Sequence, residues 1–334
     1  MKKASDFLLL AKNYLLPTIY SIYLPMLNSI KLYTAIVLSM VFWSFSFIWT
    51  RVAIHSFHPM TLITLRLAIA SLLLLVVARS RGKLQKLRKK DVKWFVMLAF
   101  FEPFLYYVGE TYGLTMVEST LAAVIVSTIP LFAPMLAFVI LREKIGLSNI
   151  IGIVVSLVGV FFVIYEPGGG FRANPLGVAL LFLAVFAAIC YATVLRKIPT
   201  YYSNMSVIFY QSSLGLLFFI PTFFLTGYSS ISTLKVSAES LTALLMLSVF
   251  ASVIAFVLFA GAVRKVGVTR TNVFVNLIPV FTAILSWVIL DELLTVSKWV
   301  GIFIVVIGLF VSQWGKVRIN RKQKNSYEAL DKII

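Results

Sequence analysis

At 334 residues the chain is 60% hydrophobic and 13% charged, with a net charge of +18 and a single cysteine. The lone Cys190 leaves no disulfide framework. The basic balance does not point to nucleic acid, because the cations lie in short links between long apolar runs.

In chain order, residues 1–31 form an apolar N-terminal extension interrupted by Lys12, Asn13, Pro17 and Pro25. It reads as interfacial or disordered rather than spanning, and no small-residue cleavage site marks a signal peptide. Ten continuous apolar segments follow: 32–53, 59–78, 92–113, 117–141 and 147–165, then 175–195, 205–226, 240–262, 269–290 and 297–315. Each is near the roughly 20 residues a bilayer core demands of a helix, and none alternates as a barrel strand would. Residues 166–174, with Glu166-Pro-Gly-Gly-Gly170, form an outer linker, and 316–334 a basic tail. With both termini in the cytoplasm, 25 Lys and Arg fall on the inner side. Only Arg51, Arg172, Lys235 and Lys298 fall outside, and Arg66 lies within the membrane. This is a positive-inside pattern. The run from Arg79 to Lys90 is placed to touch anionic membrane lipid, although topology alone accounts for its charge.

Residues Val117–Phe161 repeat at Val266–Phe310 with a constant offset of 149, identical at 17 of 45 positions. The matches include Thr120/Thr269, Ile129-Pro130/Ile278-Pro279, Glu143/Glu292, Gly152/Gly301 and Gly159/Gly308. A fainter echo at offset 145 joins Arg51 to Arg196, Met60 to Met205 and Arg66 to Gln211. Five crossings separate the copies, an odd number, so one is upside down relative to the other. The predicted fold is an all-α integral membrane protein of ten transmembrane helices, arranged as two five-helix inverted repeats (32–165 and 175–315). Alternating-access transporters depend on such a duplication.

These features resemble the EamA family of the drug/metabolite transporter superfamily over about residues 32–315. The resemblance rests on Phe42-Trp-Ser-Phe-Ser-Phe47, with Ser44 where glycine is usual, and on Arg66 ahead of an Ala/Leu-rich run. It rests also on the proline-centred helices ending in Leu-Arg-Glu143 and Leu-Asp-Glu292. It implies a secondary transporter, exporting amino acids or similar small metabolites across a prokaryotic plasma (inner) membrane. A nucleotide-sugar or phosphorylated-metabolite carrier and a non-transporting scaffold or sensor are the alternatives.

Placing an ionisable side chain at the bilayer centre costs about 2.5–3.5 kcal/mol on insertion scales, so such residues point to function. Arg66, Glu102 and Glu110 are the three. At the helical rise, Arg66 lies roughly 10 Å and Glu102 roughly 16 Å from the outer ends of their segments, with Glu110 shallower. Glu102, Tyr106, Gly109, Glu110 and Gly113 share a helical face, read as a polar and partly open stripe. Glu102 is the candidate proton carrier or ligand for a substrate ammonium, with Arg66 its partner, and Glu110 a gate. A structural Arg–Glu pair is the plain alternative. Trp43, Ser46, Phe47 and Thr50 share a face of the first segment. With Ser127, Asn276, Tyr210 and Gln211 they are candidates to line a path for a small amphipathic solute. Pro130 and Pro279, matched in the two copies, are candidate hinges. Gly152, Gly159, Gly301 and Gly308 read as close helix packing, with a homodimer contact as the alternative. No cofactor is implied. There is no phosphate-binding glycine loop with lysine, and His55 and His58 have no neighbouring ligands to complete a metal site.

Overall fold

The computed structural model describes residues 16–132, 146–166, 170–171, 173–195, 197–227, 235–266, 271 and 274–312. Glu143, Thr269 and the basic tail, singled out above, lie outside them. Seven helices are long and apolar enough to cross a membrane. They are α1 (Leu16–Ala53), α2 (Pro59–Ser80), α3 (Lys89–Met116), α5 (Leu147–Ile164), α6 (Pro175–Leu195), α7 (Asn204–Gly227) and α8 (Ala238–Ala262). Three shorter apolar helices, α4 (Ser119–Phe132), α9 (Leu277–Leu290) and α10 (Val296–Ser312), fall in the remaining predicted segments. Among the described residues the other regular structure is a two-residue antiparallel pair, Tyr165–Glu166 with Gly170–Phe171, between α5 and α6. Helix α1 runs without interruption through Pro17 and Pro25, so the described part of the N-terminal extension is helical.

Local chemistry starts several helices. Pro59 supplies a fixed φ in the first turn of α2, and His58 Nδ1 accepts from the Met60 N–H. Ser203 and Ser237 accept from the N–H groups of Ser206 and Ser240 at 3.1 Å, relieving orphan donors of α7 and α8. Helix α1 packs against α8, α9 and α4; α2 packs against α7 and α8; α3 packs against α6 and α7; α4 packs against α6 and α9.

A close backbone approach joins α5 to α10. A Cβ on Gly152 would lie 2.6 Å from the Gly308 carbonyl, and one on Gly159 would lie 2.7 Å from the Gly301 carbonyl and the Val305 N. Between these two contacts Ser156 Oγ donates to the Val305 carbonyl at 3.3 Å, and beyond the Gly152 contact Asn149 Nδ2 donates to Ser312 Oγ at 2.8 Å. With no hydrophobic drive between helices in lipid, this small-residue seam gains its stability from packing and hydrogen bonds.

The basic link between α2 and α3 is strapped to the link between α6 and α7. Gln85 N–H donates to Ser206 Oγ at 2.9 Å and Gln85 Nε2 to the Tyr201 carbonyl at 2.9 Å. Ser203 and Ser206 hydroxyls donate to the Lys83 carbonyl. Tyr201 and Tyr202 hydroxyls both donate to the buried Asp91 carboxylate. The bond to Asp91 pushes the Tyr201 hydroxyl up to about 12, with burial adding to the rise.

Gly159→Ala is expected to overpack the α5/α10 seam and to destabilise by about 1–3 kcal/mol, seen as a lower apparent Tm in detergent. Gly261→Ala, where a Cβ meets nothing within 4 Å, should leave Tm unchanged or raised. A hydroxyl whose folded value is raised stabilises the fold below its ordinary value and loses that contribution as pH climbs to the raised one. Wild type should therefore lose Tm faster than Tyr201→Phe between pH 10.0 and about 12.

Candidate functional site

Helix α3 does not run straight to its carboxylates. Its centre is a π-helical segment, Phe100–Leu105, in which Glu102 takes extended torsions (φ −144°, ψ 117°) before Pro103. A residue preceding proline is pushed out of the α region by the ring, and the π geometry absorbs the break. The Glu102–Pro103 peptide is cis. The Pro103 ring fills the space that any side chain on Gly215 of α7 would need. Helix α8 carries its own π segment, Leu247–Ala255, containing Ser248 and Ser252.

Arg66, 4% exposed on α2, reaches across to α8. Its Nε donates to Ser252 Oγ at 2.8 Å, and its guanidinium carbon stands 4.2 Å from the centroid of the Tyr107 ring on α3. These two contacts fix the plane of the guanidinium and leave both terminal nitrogens without a hydrogen bond among the described residues. No carboxylate of the described residues lies within 4.0 Å of it, so the predicted direct Arg–Glu pair is not formed. Glu110, 4% exposed, accepts instead from the Tyr106 hydroxyl at 3.1 Å. Glu102, 9% exposed, takes no hydrogen bond among the described residues. Both carboxylates interact electrostatically with Arg66, and Glu102 also with Tyr191 of α6. The Tyr191 hydroxyl donates to Gln211 Oε1 on α7 at 3.1 Å. One polar group thus gathers Arg66, Glu102, Tyr106, Glu110 and Gln211 from three helices.

The other sequence candidates sit elsewhere. Trp43 packs on Phe256 and Phe259, with ring centroids 5.2 and 4.9 Å apart, and shares a hydrophobic core with Tyr106. Ser46 donates to the Trp43 carbonyl at 2.6 Å, and Thr50 is buried. Tyr210 turns away from Gln211 and donates to the Gln85 carbonyl of the basic link at 2.8 Å. Ser127 and Asn276 are both buried and share the same torsions, φ −62° and ψ −14°, three residues before Pro130 and Pro279. Each marks a break that the following proline accounts for, since its ring removes the donor that would close the turn. Gly109 and Gly113 do not open the stripe. A Cβ on Gly109 would meet the Leu180 carbonyl at 2.5 Å, and one on Gly113 would meet Leu181 Cγ at 2.8 Å, so both seat α6 against α3.

Sequence reasoning missed Ser252 and Tyr107, which orient Arg66. A serine buried in an otherwise apolar span was the available signal. It also left Ser44 as a departure from glycine; the structure buries its hydroxyl, which bonds the Met40 carbonyl at 2.8 Å and the Ile278 carbonyl of α9 at 3.3 Å.

The profile of the EamA-like transporter family matches residues 30–165 and matches again over 175–314. The chain belongs to the EamA-like transporter family. It is 30% identical over 271 residues to the uncharacterized transporter YetK of Bacillus subtilis, covering 80% of each chain. An uncharacterized transporter of Archaeoglobus fulgidus is 27% identical over 281 residues, covering 84% of this chain and 98% of that one. A solved crystal structure shares the fold with a TM-score of 0.61 at 15% identity, over 86% of this chain and 97% of the other. Family membership and the apolar helices make this a multi-pass membrane protein and support a transporter role rather than an enzymatic one.

In this EamA-like transporter a second polar cluster ties α9 to α4. Asp291 adopts a left-handed turn (φ 53°) at the end of α9, and the Glu292 that follows accepts from the N–H groups of Ser119 and Thr120 at 2.8 and 3.2 Å. The Thr120 hydroxyl adds a third bond at 2.8 Å. The carboxylate thus satisfies orphan donors at the start of α4, where the helix dipole favours negative charge. Beside it Lys298 Nζ pairs with Glu118 Oε2 at 2.6 Å and donates to the Leu293 carbonyl at 2.8 Å. Glu292→Ala should cost about 1–3 kcal/mol, with Glu292→Gln losing less because it keeps one acceptor. Chemical unfolding in detergent checks the order.

Proposed function

We propose that this EamA-like transporter is a secondary carrier for amino acids or similar small zwitterionic metabolites, working by alternating access between two inverted five-helix halves and exporting its solute from the cell. The observation that carries the substrate class is the Arg66 group. A buried guanidinium, oriented by Ser252 and Tyr107 with its terminal nitrogens unbonded among the described residues, suits a carboxylate. The Glu102 carboxylate, buried without a hydrogen bond among the described residues, suits an ammonium or a proton. Tyr106, Tyr191 and Trp43 supply apolar surface for the remainder of a small solute.

Support for two inverted halves comes from how contacts exchange. Adding 149 to the Gly152–Gly308 contact returns the Gly301–Gly159 contact, and Ser156 bonds Val305, its own counterpart at that offset. Likewise α1 packs on α8 and α9 as α6 packs on α3 and α4, while α2 meets α7. A pseudo-two-fold axis through the α5/α10 seam accounts for all of these, and exchanging the conformations of the halves would move access from one side to the other. In this reading ten helices span the inner membrane of a prokaryote with both termini cytoplasmic. The kinks before Pro130 and Pro279 are the hinges, and Glu110, tied to Tyr106, is a gate. A nucleotide-linked solute is the weaker alternative: among the described residues the buried cations are Arg66 and Lys298, and Lys298 is paired with Glu118.

The test is flux of a labelled amino-acid panel into proteoliposomes with and without an imposed pH gradient. The expected result is saturable flux accelerated by the gradient, reduced at least tenfold in Arg66→Ala, with the gradient effect lost in Glu102→Gln. Flux unchanged in both variants would overturn the site assignment, and no flux of any panel member would overturn the substrate class.

A further inference from the structure

The basic link strapped beneath α2 and α3 encloses a cleft of about 570 Å³ lined by Gln85, Lys86, Arg88, Lys89, Tyr201 and Tyr202. Positive-inside topology requires cations in such a link but does not require the link to fold. Here Gln85 is held by bonds to Ser206, Ser203 and Tyr201, and the Arg88 N–H donates to the Tyr202 hydroxyl at 3.0 Å. The Arg88 guanidinium lies 4.2 Å over the Tyr201 ring. The nearby carboxylate, Asp91, is buried and hydrogen-bonded by both tyrosines; its electrostatic interactions among the basic residues are with Lys90 and Arg88, not with Lys86 or Lys89. Lys86, Arg88 and Lys89 are exposed, and none pairs with an acidic side chain among the described residues.

The cleft stands at the end of a spanning helix. From its rim α3 presents Val92, Val96 and Phe100, at fourfold spacing, with Met97 beside them; all four are exposed. A cationic cleft continuous with an apolar helix face matches a ligand with an anionic head and acyl chains. We infer that this cleft is a binding site for the phosphate headgroup of an anionic phospholipid, whose acyl chains lie along the exposed face of α3. The inference needs only that this end of α3 meets a membrane surface, and it does not depend on the proposed substrate.

The experiment uses the full chain in detergent, titrated with phosphatidylglycerol or phosphatidylcholine and read by native mass spectrometry. Phosphatidylglycerol should bind in preference. A lysine near an anionic membrane surface contributes about 1 kcal/mol, or roughly fivefold, so Lys86→Gln with Lys89→Gln should weaken binding about 25-fold. Arg79→Gln with Arg81→Gln removes the same charge from the same link outside the cleft lining and should change binding less than about threefold. Equal losses in the two double variants would reduce the effect to diffuse charge and overturn the site. So would equal binding of the two lipids. Competition by soluble glycerol 1-phosphate at the lipid's own concentration would reassign the cleft to a soluble phosphate.

Discussion

Within hydrocarbon a polar group has no water to fall back on, so each must find its partner inside the protein or face a wet cavity. The arrangement around Arg66 follows from that constraint. A guanidinium at membrane depth is tolerable here because Ser252 takes its Nε and Tyr107 takes its face, contacts that come from two different helices. Those contacts make α2, α3 and α8 mutually dependent. They also leave the terminal nitrogens of the guanidinium without a hydrogen bond among the described residues, which under the proposed function is how a structural necessity becomes a recognition element.

The same constraint governs where the backbone is allowed to break. Two π segments fall in α3 and α8, the two helices that bracket Arg66, a third lies at the end of α7 (Phe223–Gly227), and the breaks at Ser127 and Asn276 fall before Pro130 and Pro279. A freed carbonyl or an expanded turn is costly against lipid but tolerable against other helices or at a helix end, where the α7 segment lies. At the periphery the solution is different. The α5/α10 seam contains no such break and relies on glycine contact, a serine and an asparagine. Under the proposed mechanism the irregular interior helices would move and this regular seam would hold the halves together.

Much of the site was legible beforehand for a simple reason: charged residues are rare in apolar spans, so Arg66, Glu102 and Glu110 announce themselves. Their partners were not. Ser252 and Tyr107 look ordinary in sequence, because periodicity tells which residues share a face and says nothing of what stands opposite. The glycines of α3 illustrate the point. Gly109 and Gly113 lie on the same helical stripe as Tyr106, yet they admit α6 rather than solvent. Tyr210 and Gln211 are adjacent in the chain, but consecutive helical positions diverge, so one hydroxyl reaches the basic link while the neighbouring amide meets Tyr191.

By itself the sequence determined the membrane character, the apolar segments and the internal duplication, because apolar run length and repeated Ile-Pro, Glu and Gly positions are one-dimensional signals. Only the tertiary structure decided that Arg66 bonds a serine and lies over a tyrosine ring instead of pairing with a carboxylate, that Glu110 is bound by Tyr106 while Glu102 has no hydrogen bond among the described residues, and that Glu292 reaches the start of α4. Each of these joins residues on separate turns or helices, and which of several eligible partners wins depends on helix rotation, depth and local breaks that no spacing along the chain encodes.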